Sequence, residues 1–590
     1  MPLTRFFILL LFVLNAASTN AQGYLKADGK NIKNDKGEVI LRGMGLGGWM
    51  LQEPYMLKLS GSATAQYDIR NKITALIGKE KTKQFYDAWL NNHCTKTDID
   101  SLASWGFNSV RLPMHYNLFT LPVELEPVKG KNTWLTKGFA LTDSLLSWCR
   151  ANHIYLILDL HAAPGGQGND NAISDRDASK PSLWQSELNI NKTIALWEKL
   201  AVRYANEEWI GGYDLINEPN WGFQNASDKN GCAETGNAPL KKIYQDLTAT
   251  IRKVDKKHII FIEGNCWGNN YEGIFPLWDD NMVVSFHKYW NFNNTAAIQK
   301  FLDYREKYNM PIWLGETGEN SNAWFTDVVS LLETNKIGWA MWPLKKSGLN
   351  NLLQVKIDPG AQKIIDYWDG KGAKPSAADA FKSLMQWAND TRAENNIVHL
   401  DVSDAMIRQV NNTEAIPFKQ ITIVPNTILF ADNYDIGRPG VAYHDKDSAE
   451  YWVSTNTRTP WNSGGFYRND GVDIEKCNDA VTNGYNVGWI QTGEWLQYSV
   501  YAGNDATYDL NIRYASKETA GQLRLIINNE FATENNLLPQ TGGTQNWKTS
   551  TIKAVKLTKG WNRLRVLATE GGFNLNYLQF ISPGNTATAN

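Results

Sequence analysis

At 590 residues the chain is too long for one ordinary domain and long enough to bury two cores. A formal net charge of -2, 20% charged residues and the lack of any basic block exclude a nucleic-acid partner on electrostatic grounds. The five cysteines, Cys94, Cys149, Cys232, Cys266 and Cys477, are widely spaced, with neither the pairing of a zinc site nor a C-x-x-C redox motif.

The chain opens on Arg5, an apolar run over 6–14 and the small-residue site Thr19-Asn20-Ala21 before Gln22. That pattern predicts a secretory signal over residues 1–21, the run being shorter than the roughly 20 apolar residues a membrane span requires. No later stretch is long enough to cross a bilayer. The expectation is an exported protein, extracellular or periplasmic, without a membrane span.

Strand-like apolar runs follow at 39–44, 109–113, 155–161, 213–219, 259–265, 283–289, 311–318 and 337–344. Each but the last is followed by a segment of helical periodicity, clearest at 135–152, 191–208, 240–255 and 322–335. Strict alternation over eight runs predicts a closed (β/α)8 TIM barrel over residues 22–390. After the first run, Gly43-Met44-Gly45-Leu46-Gly47-Gly48 matches the dinucleotide pattern G-x-G-x-x-G. A helix should start there at once, yet Pro54 interrupts it and the next run begins only at 109. Close backbone packing at the end of the first strand accounts better for these glycines, and no cofactor is expected.

Two runs end on a glutamate, Tyr213-Asp214-Leu215-Ile216-Asn217-Glu218-Pro219 and Pro311-Ile312-Trp313-Leu314-Gly315-Glu316-Thr317-Gly318. Parallel strands buried on both faces read as continuous apolar runs, and a barrel's chemistry sits where they stop, at the C-terminal rim. Two carboxylates facing each other there suit glycosidic cleavage, in which one protonates the leaving oxygen and the other is a nucleophile or a base for water. The two need environments that push their pKa values apart. Asn217, beside Glu218, is placed to hydrogen-bond a sugar hydroxyl, which leaves Glu316 as the ionised partner. Glu263, ending the fifth run, reads as a supporting residue. No H-E-x-x-H or comparable spacing assigns a metal. Cys232 and Cys266 fall in loops at the same rim, where export permits a bridge; mostly free, buried thiols are the preferred reading. The 24 Trp and 24 Tyr are partly core, but Trp also clusters beside the glutamate motifs, where flat rings with polar edges suit the faces of pyranoses.

Past about residue 390 helical amphipathicity stops, and 391–425 read as a connector. Segments 495–500, 507–514, 522–527, 550–557 and 563–567 alternate at period two between Gly, Asn, Asp and Thr turns. An all-β, jelly-roll-like sandwich over 426–590 is predicted.

Ile216-Asn217-Glu218-Pro219, Gly315-Glu316, Val110-Arg111-Leu112-Pro113, Asp159-Leu160-His161 and His287-Lys288-Tyr289 stand in an order and spacing that resemble glycoside hydrolase family 5, the cellulase-like retaining enzymes. The resemblance covers about residues 23–390. It implies Glu218 as acid/base, Glu316 as nucleophile, and Arg111, His161, Asn217, His287 and Tyr289 as groups that orient them or the sugar. It also implies Trp342 as the floor of the sugar site. Gly45-Leu46-Gly47-Gly48-Trp49 with Glu53-Pro54, and the 163–168 loop, are similar to the exo-acting 1,3-β-glucosidase branch, from which Thr317-Gly318 after Glu316 departs. Linkage and exo or endo action stay open.

In the second part, 464–475, Gly484-Tyr485-Asn486-Val487-Gly488-Trp489, Gly493-Glu494-Trp495-Leu496 and 572–577 resemble a carbohydrate-binding module of family 6. Trp489, Trp547 and Asn574 are the implied sugar contacts, and Asp432 is the candidate ligand of the structural calcium such modules often carry. The combined reading is a secreted β-glucan hydrolase that needs no cofactor for catalysis. Its rivals are a non-catalytic glycan-binding protein and a hydrolase of another β-linked glycan such as mannan. A binding module concentrates enzyme on a polymer without adding an active-site contact, so loss of residues 426–590 is expected to spare short soluble substrates.

Overall fold

The structure is a computed structural model and describes residues 23–225, 227–446 and 461–584; the expected signal over 1–21 lies outside them. Eight parallel strands close into a barrel: β1 (Arg42–Gly45), β2 (Ser109–His115), β3 (Tyr155–Ala162), β4 (Ile210–Asp214), β5 (Ile259–Glu263), β6 (Met282–Lys288), β7 (Ile312–Gly318) and β8 (Gly338–Trp342). Nearly every strand residue is buried, as expected where helices cover the outside and side chains fill the inside.

The periodicity of the helices follows from packing on that barrel. Glu187–Tyr204 buries Leu196, Trp197, Leu200 and Ala201, the i, i+3, i+4 stripe of an amphipathic helix. Beyond β5 the expected helix is replaced by the four-residue turn Asn265–Gly268, where Cys266 and Trp267 have φ of 56° and 55°. A disulfide to Cys232 accompanies that irregular turn. The bridge corrects the preference for mostly free thiols. Cys94 and Cys149 are free and buried, and Cys477 is free and half-buried.

The glycines after the first strand admit the last one. A carbon on Gly45 would stand 2.5 Å from the Trp342 ring, and one on Gly47 2.6 Å from it, so the indole of β8 lies directly against the backbone that follows β1. The floor of the barrel is plugged from below. Leu25 and Ile32 of the N-terminal hairpin pack with Tyr155, Ile157, Ile259, Phe261, Val283 and Trp313.

Residues read as a connector fold into short elements. Ile397–Val398 pairs with Leu353–Gln354 of a small sheet on the barrel, and the helix Leu400–Met406 buries Val402, Ala405 and Met406 in the barrel core. Ile421–Ile423 already belongs to the sandwich, paired with Trp495–Ala502. Short elements of this kind bury too few residues to leave a period in the sequence.

The sandwich consists of two mainly antiparallel sheets. One is built on Trp495–Ala502, Gly560–Glu570 and Gly521–Ile527, the other on Tyr485–Ile490, Phe573–Ile581, Ala506–Ala515 and Lys548–Leu557. Gly521–Ile527 alternates buried and half-buried positions without exception, the period-two signature of a strand with one face on the core.

Candidate active site

Every second residue up the inward face of a barrel strand belongs to the next layer. On β3 that face runs Tyr155, Ile157, Asp159, His161, and on β5 it runs Ile259, Phe261, Glu263. The change from apolar to charged takes one layer. At its centre Arg111 of β2, 1% exposed, donates through Nε to Asp214 (3.0 Å), through Nη1 to Glu316 (2.9 Å), and through Nη2 to Asn217 Oδ1 (2.8 Å) and Glu263 (2.9 Å). Asp159 lies 3.3 Å from Nη1. A single guanidinium does not balance four buried carboxylates. Burial therefore pushes Asp159 and Asp214 well above the usual carboxylate range. Burial also opposes the Glu263 charge, but His287 and Arg111 outweigh it and hold that carboxyl below its ordinary value.

Glu218 and Glu316 reach the layer above by different backbone devices. Strand β4 stops at Asp214, and Glu218 sits beyond it at φ 43°, a left-handed conformation that a non-glycine residue keeps only when its surroundings impose it. Here its N–H donates to Glu263 Oε2 (2.7 Å), and its carbonyl accepts from Asn220 Nδ2 (2.9 Å). Glu316 follows a register shift between Leu314 and Glu316 against β6, an extra residue that re-aims the side chain. The extra residue is Gly315, where a Cβ would meet Ser285 Oγ at 2.2 Å.

The side-chain partners of the two carboxyls differ. Glu316 receives the Arg111 guanidinium and, on Oε1, the Tyr289 hydroxyl at 2.7 Å. Glu218 Oε1 faces His287 Nδ1 at 2.6 Å, and the other ring nitrogen is 3.2 Å from Glu263 Oε1. An oxygen of Glu218, an oxygen of Glu316 and a nitrogen of His287 all lie within 4.8 Å of one another. Burial raises both glutamates above the usual carboxylate range, with the His287 hydrogen bond opposing at Glu218, and His287 and Arg111 opposing at Glu316. Burial works against a His287 cation, but Glu263 and Glu218 prevail and hold the imidazole well above its ordinary pKa.

His161 is driven by burial to a pKa of about 3 and is therefore neutral. Its Nδ1 faces Asp159 at 2.8 Å and Asn217 Nδ2 donates to Nε2 at 3.3 Å, which assigns the ring proton to Nδ1. The ring stacks on Trp342, with centroids 5.0 Å apart and planes within 6°. Above these groups opens a cleft of about 690 Å³, lined by Glu218, Glu316, His161, His287, Tyr289 and Trp342. Asn217 does not line it. Its amide oxygen accepts from Arg111 and its amide nitrogen donates to His161, so it orients both from behind, one of the roles the family resemblance implies.

Residues 67–348 match the family model described as Cellulase (glycosyl hydrolase family 5). The barrel is a glycosyl hydrolase family 5 domain. Residues 465–582 match the carbohydrate binding module of family 6. The chain is 28% identical over 373 residues to "Beta-xylosidase" of Phanerodontia chrysosporium, covering 57% of this chain and 73% of that protein. It is 27% identical over 306 residues to "Probable glucan 1,3-beta-glucosidase A" of Aspergillus niger, covering 50% and 66%. Against "Endoglucanase C" of Acetivibrio thermocellus the identity is 23% over 347 residues, covering 48% and 92%.

The family 6 module has its own cleft of about 1000 Å³, to which the structure brings Trp489 and Asn574. Trp489 is 49% exposed at φ 48°, a bare indole face beside Asn574, whose Nδ2 donates to Glu475 (2.6 Å) and the Thr544 carbonyl (3.0 Å). Trp547 is not part of this lining. Its indole N–H donates to Asn478 Oδ1 (3.1 Å). Asp432 is buried, and both its oxygens accept from Asn483 Nδ2. Burial raises its pKa to about 6.

In the family 5 cleft the sequence reading overlooks Tyr55, Asp170, Trp267, Trp290 and Lys346, all of which line it. Tyr55 accepts the Trp342 indole N–H at 3.0 Å. Lys346 pairs with Glu319 at 2.5 Å, joining the loops after β7 and β8. Glu53 lines the same cleft, and burial, with the charges of Glu316 and Glu319, pushes its carboxyl well above the usual range. Glu263 reads as a supporting residue from the sequence, and counting in twos down from the rim would have added Asp159 and Asp214. Nothing comparable marks a loop residue.

Proposed function

We propose that this chain is an exported retaining β-glucan hydrolase in which Glu316 is the nucleophile and Glu218 the acid/base. The supporting observation is the spacing. Carboxyl groups about 5 Å apart suit a covalent glycosyl-enzyme, whereas inversion needs room for water and roughly 6.5–9.5 Å; here one oxygen of Glu218 and one of Glu316 lie within 4.8 Å of each other, which favours the shorter spacing. Their partners set the roles. A carboxylate held by Arg111 and Tyr289 is the better anion, and its charge in turn helps Glu218 keep a proton.

In the first step Glu316 attacks the anomeric carbon as the bond to the leaving oxygen breaks, and the Glu218 proton passes to that oxygen. In the second step Glu218 takes a proton from water, whose oxygen displaces Glu316 and restores both groups. Side chains and water supply every proton and electron pair, so no cofactor enters. Calcium takes six to eight oxygen ligands. Backbone and amide carbonyls and water count among them, and Asp432, buried with both oxygens facing Asn483, is the one side chain proposed for a structural calcium in the module. The Arg5-led apolar run and the Cys232–Cys266 bridge support export.

Action from a chain end is proposed on the likeness of the 45–49 and 163–168 segments to the exo-acting 1,3-β-glucosidase branch and on the glucan 1,3-beta-glucosidase relatives. The test is product analysis with laminarin, a mixed-linkage glucan and a soluble cellulose derivative. Glucose alone from laminarin is the expected result. An oligosaccharide ladder from the 1,4-linked polymer would replace the exo reading with an endo one, and silence on all three would remove the β-glucan assignment. The module is proposed to hold polymer through Trp489. Trp489→Ala is expected to weaken retention on insoluble β-glucan by roughly tenfold, read by depletion from solution; unchanged retention would move the binding face elsewhere.

A further inference from the structure

The module is joined to the barrel immediately behind the strand that carries Glu316. Strand β7 ends at Gly318, Glu319 follows at φ 56°, and Asn320, Ser321 and Asn322 are buried. What buries the last three belongs partly to the sandwich. Asn469 Nδ2 donates to the Asn320 carbonyl (2.8 Å) and to Asn322 Oδ1 (3.0 Å), and the Asn469 carbonyl accepts from the Asn322 N–H (3.0 Å). Asn322 Nδ2 donates to Asp470 Oδ1 (2.9 Å) and to Asp401 Oδ2 (2.8 Å). Arg468 locks the grip, pairing with Asp470 at 2.8 Å and packing between Phe418 and Tyr434, whose ring centres lie 4.4 and 4.1 Å from the guanidinium carbon.

The same loop is tied forward to the reacting groups. Trp324, two residues past Asn322, donates its indole N–H to the Asn291 carbonyl (3.0 Å), and its own carbonyl accepts from Asn293 (3.0 Å). Thr317 Oγ1 donates to the Lys288 carbonyl (2.6 Å), next to Tyr289, whose hydroxyl holds Glu316. The stretch from the bulge before Glu316 to the left-handed Glu319 is irregular, and such backbone persists only where its surroundings over-determine it.

We infer that the Arg468-Asn469-Asp470 turn of the sandwich is a positioning element of the family 5 active site, holding the 319–322 loop and through it Glu316, Glu319 and Tyr289. The sandwich is then a structural wall of the enzyme as well as a tether to polymer. Removing residues 426–590 is accordingly expected to damage turnover of short soluble substrates, against the expectation from sequence.

Asn469→Ala in the full chain is the informative variant, because it deletes neutral hydrogen bonds and leaves the buried charges paired. Hydrogen–deuterium exchange over 316–324 is expected to speed up about tenfold. On a p-nitrophenyl β-glucoside, kcat is expected to fall roughly 10- to 100-fold with KM within about threefold, the pattern of misplacement without lost binding. Retention on insoluble glucan should stay at the wild-type level, showing the sandwich still folded. Asn322→Ala should act likewise, and the double variant should lose no more than the worse single one. Should Asn469→Ala not purify folded, Asn469→Ser takes its place. Unchanged exchange, or faster exchange with unchanged kcat, overturns the inference. The kinetic arm rests on the hydrolase reading; if the wild type does not turn over the glucoside, that reading fails, and exchange alone decides whether the sandwich holds the loop.

Discussion

Glu316→Gln is expected to lower turnover of short β-glucans by about ten-thousandfold or more while oligosaccharide affinity stays within a few-fold. The amide fills the same space and still accepts a hydrogen bond from Tyr289, whose hydroxyl lies 2.7 Å from Oε1. It has no charge to balance Arg111 and no electron pair suited to attack on an anomeric carbon. Initial rates together with calorimetric titration of an unreactive oligosaccharide separate the two effects. A residual rate within tenfold of wild type would exclude Glu316 as the nucleophile. Truncation to glycine adds a sharper observation, because azide admitted to the vacated space attacks from the same face and yields the α-glycosyl azide. Formation of the β-azide instead would exchange the roles of the two glutamates.

Glu218→Ala should depend on the leaving group. Loss of general acid catalysis costs roughly 10²- to 10⁴-fold where the departing oxygen needs a proton. It should cost little in kcat/KM for a dinitrophenyl glycoside, whose leaving group departs as an anion. For that substrate the second step becomes limiting, and azide, which needs no base, should accelerate turnover and give the β-glycosyl azide. Equal losses on both substrates would remove Glu218 from the acid role.

The pH profile carries the same assignment. Burial raises the Glu218 pKa, so the acid keeps its proton to higher pH than a free glutamate, and activity falls as pH rises through that value. Glu316 must be ionised, and its pKa is also raised by burial, so activity falls as pH drops through it. The bell-shaped curve of kcat/KM reports the pair as a unit. In Glu218→Gln the alkaline limb should vanish and the acid limb remain; an alkaline limb that survives would point to His287 or another group.

Barrel, sandwich and the facing pair of glutamates were legible because each leaves a periodic or terminal mark. Continuous apolar runs report strands with no wet face, and Glu218 and Glu316 stand where such runs stop. Trp342 and His287 were legible for the same reason. Tyr55, Trp267 and Lys346 were not, since their place in the cleft depends on loop paths that no period encodes. The Cys232–Cys266 bridge and the missing helix beyond β5 are one such case, a turn whose left-handed residues carry ordinary side chains. The place of Asn217 behind the cleft has a different origin. Its neighbour Glu218 faces the cleft, and the chain turns between them, so adjacency in sequence did not mean a shared face. The grip of Asn469 and Asp470 on Asn320 and Asn322 was out of reach altogether, because it joins polar residues about 150 positions apart, a separation of 148 for Asn322 and Asp470, with nothing in either segment to name the other.

The packing of Trp342 against Gly45 and Gly47 has a thermodynamic corollary. The indole comes from the last barrel strand and its bed from the end of the first and the residues just beyond it, so this part of the cleft lining is also the seam at which the cylinder shuts. A ligand stacked there stabilises the shut form in proportion to its occupancy. Saccharides filling this site therefore act as clasps on the whole barrel, and the seam between β1 and β8 is the place where occupancy and resistance to unfolding become one quantity.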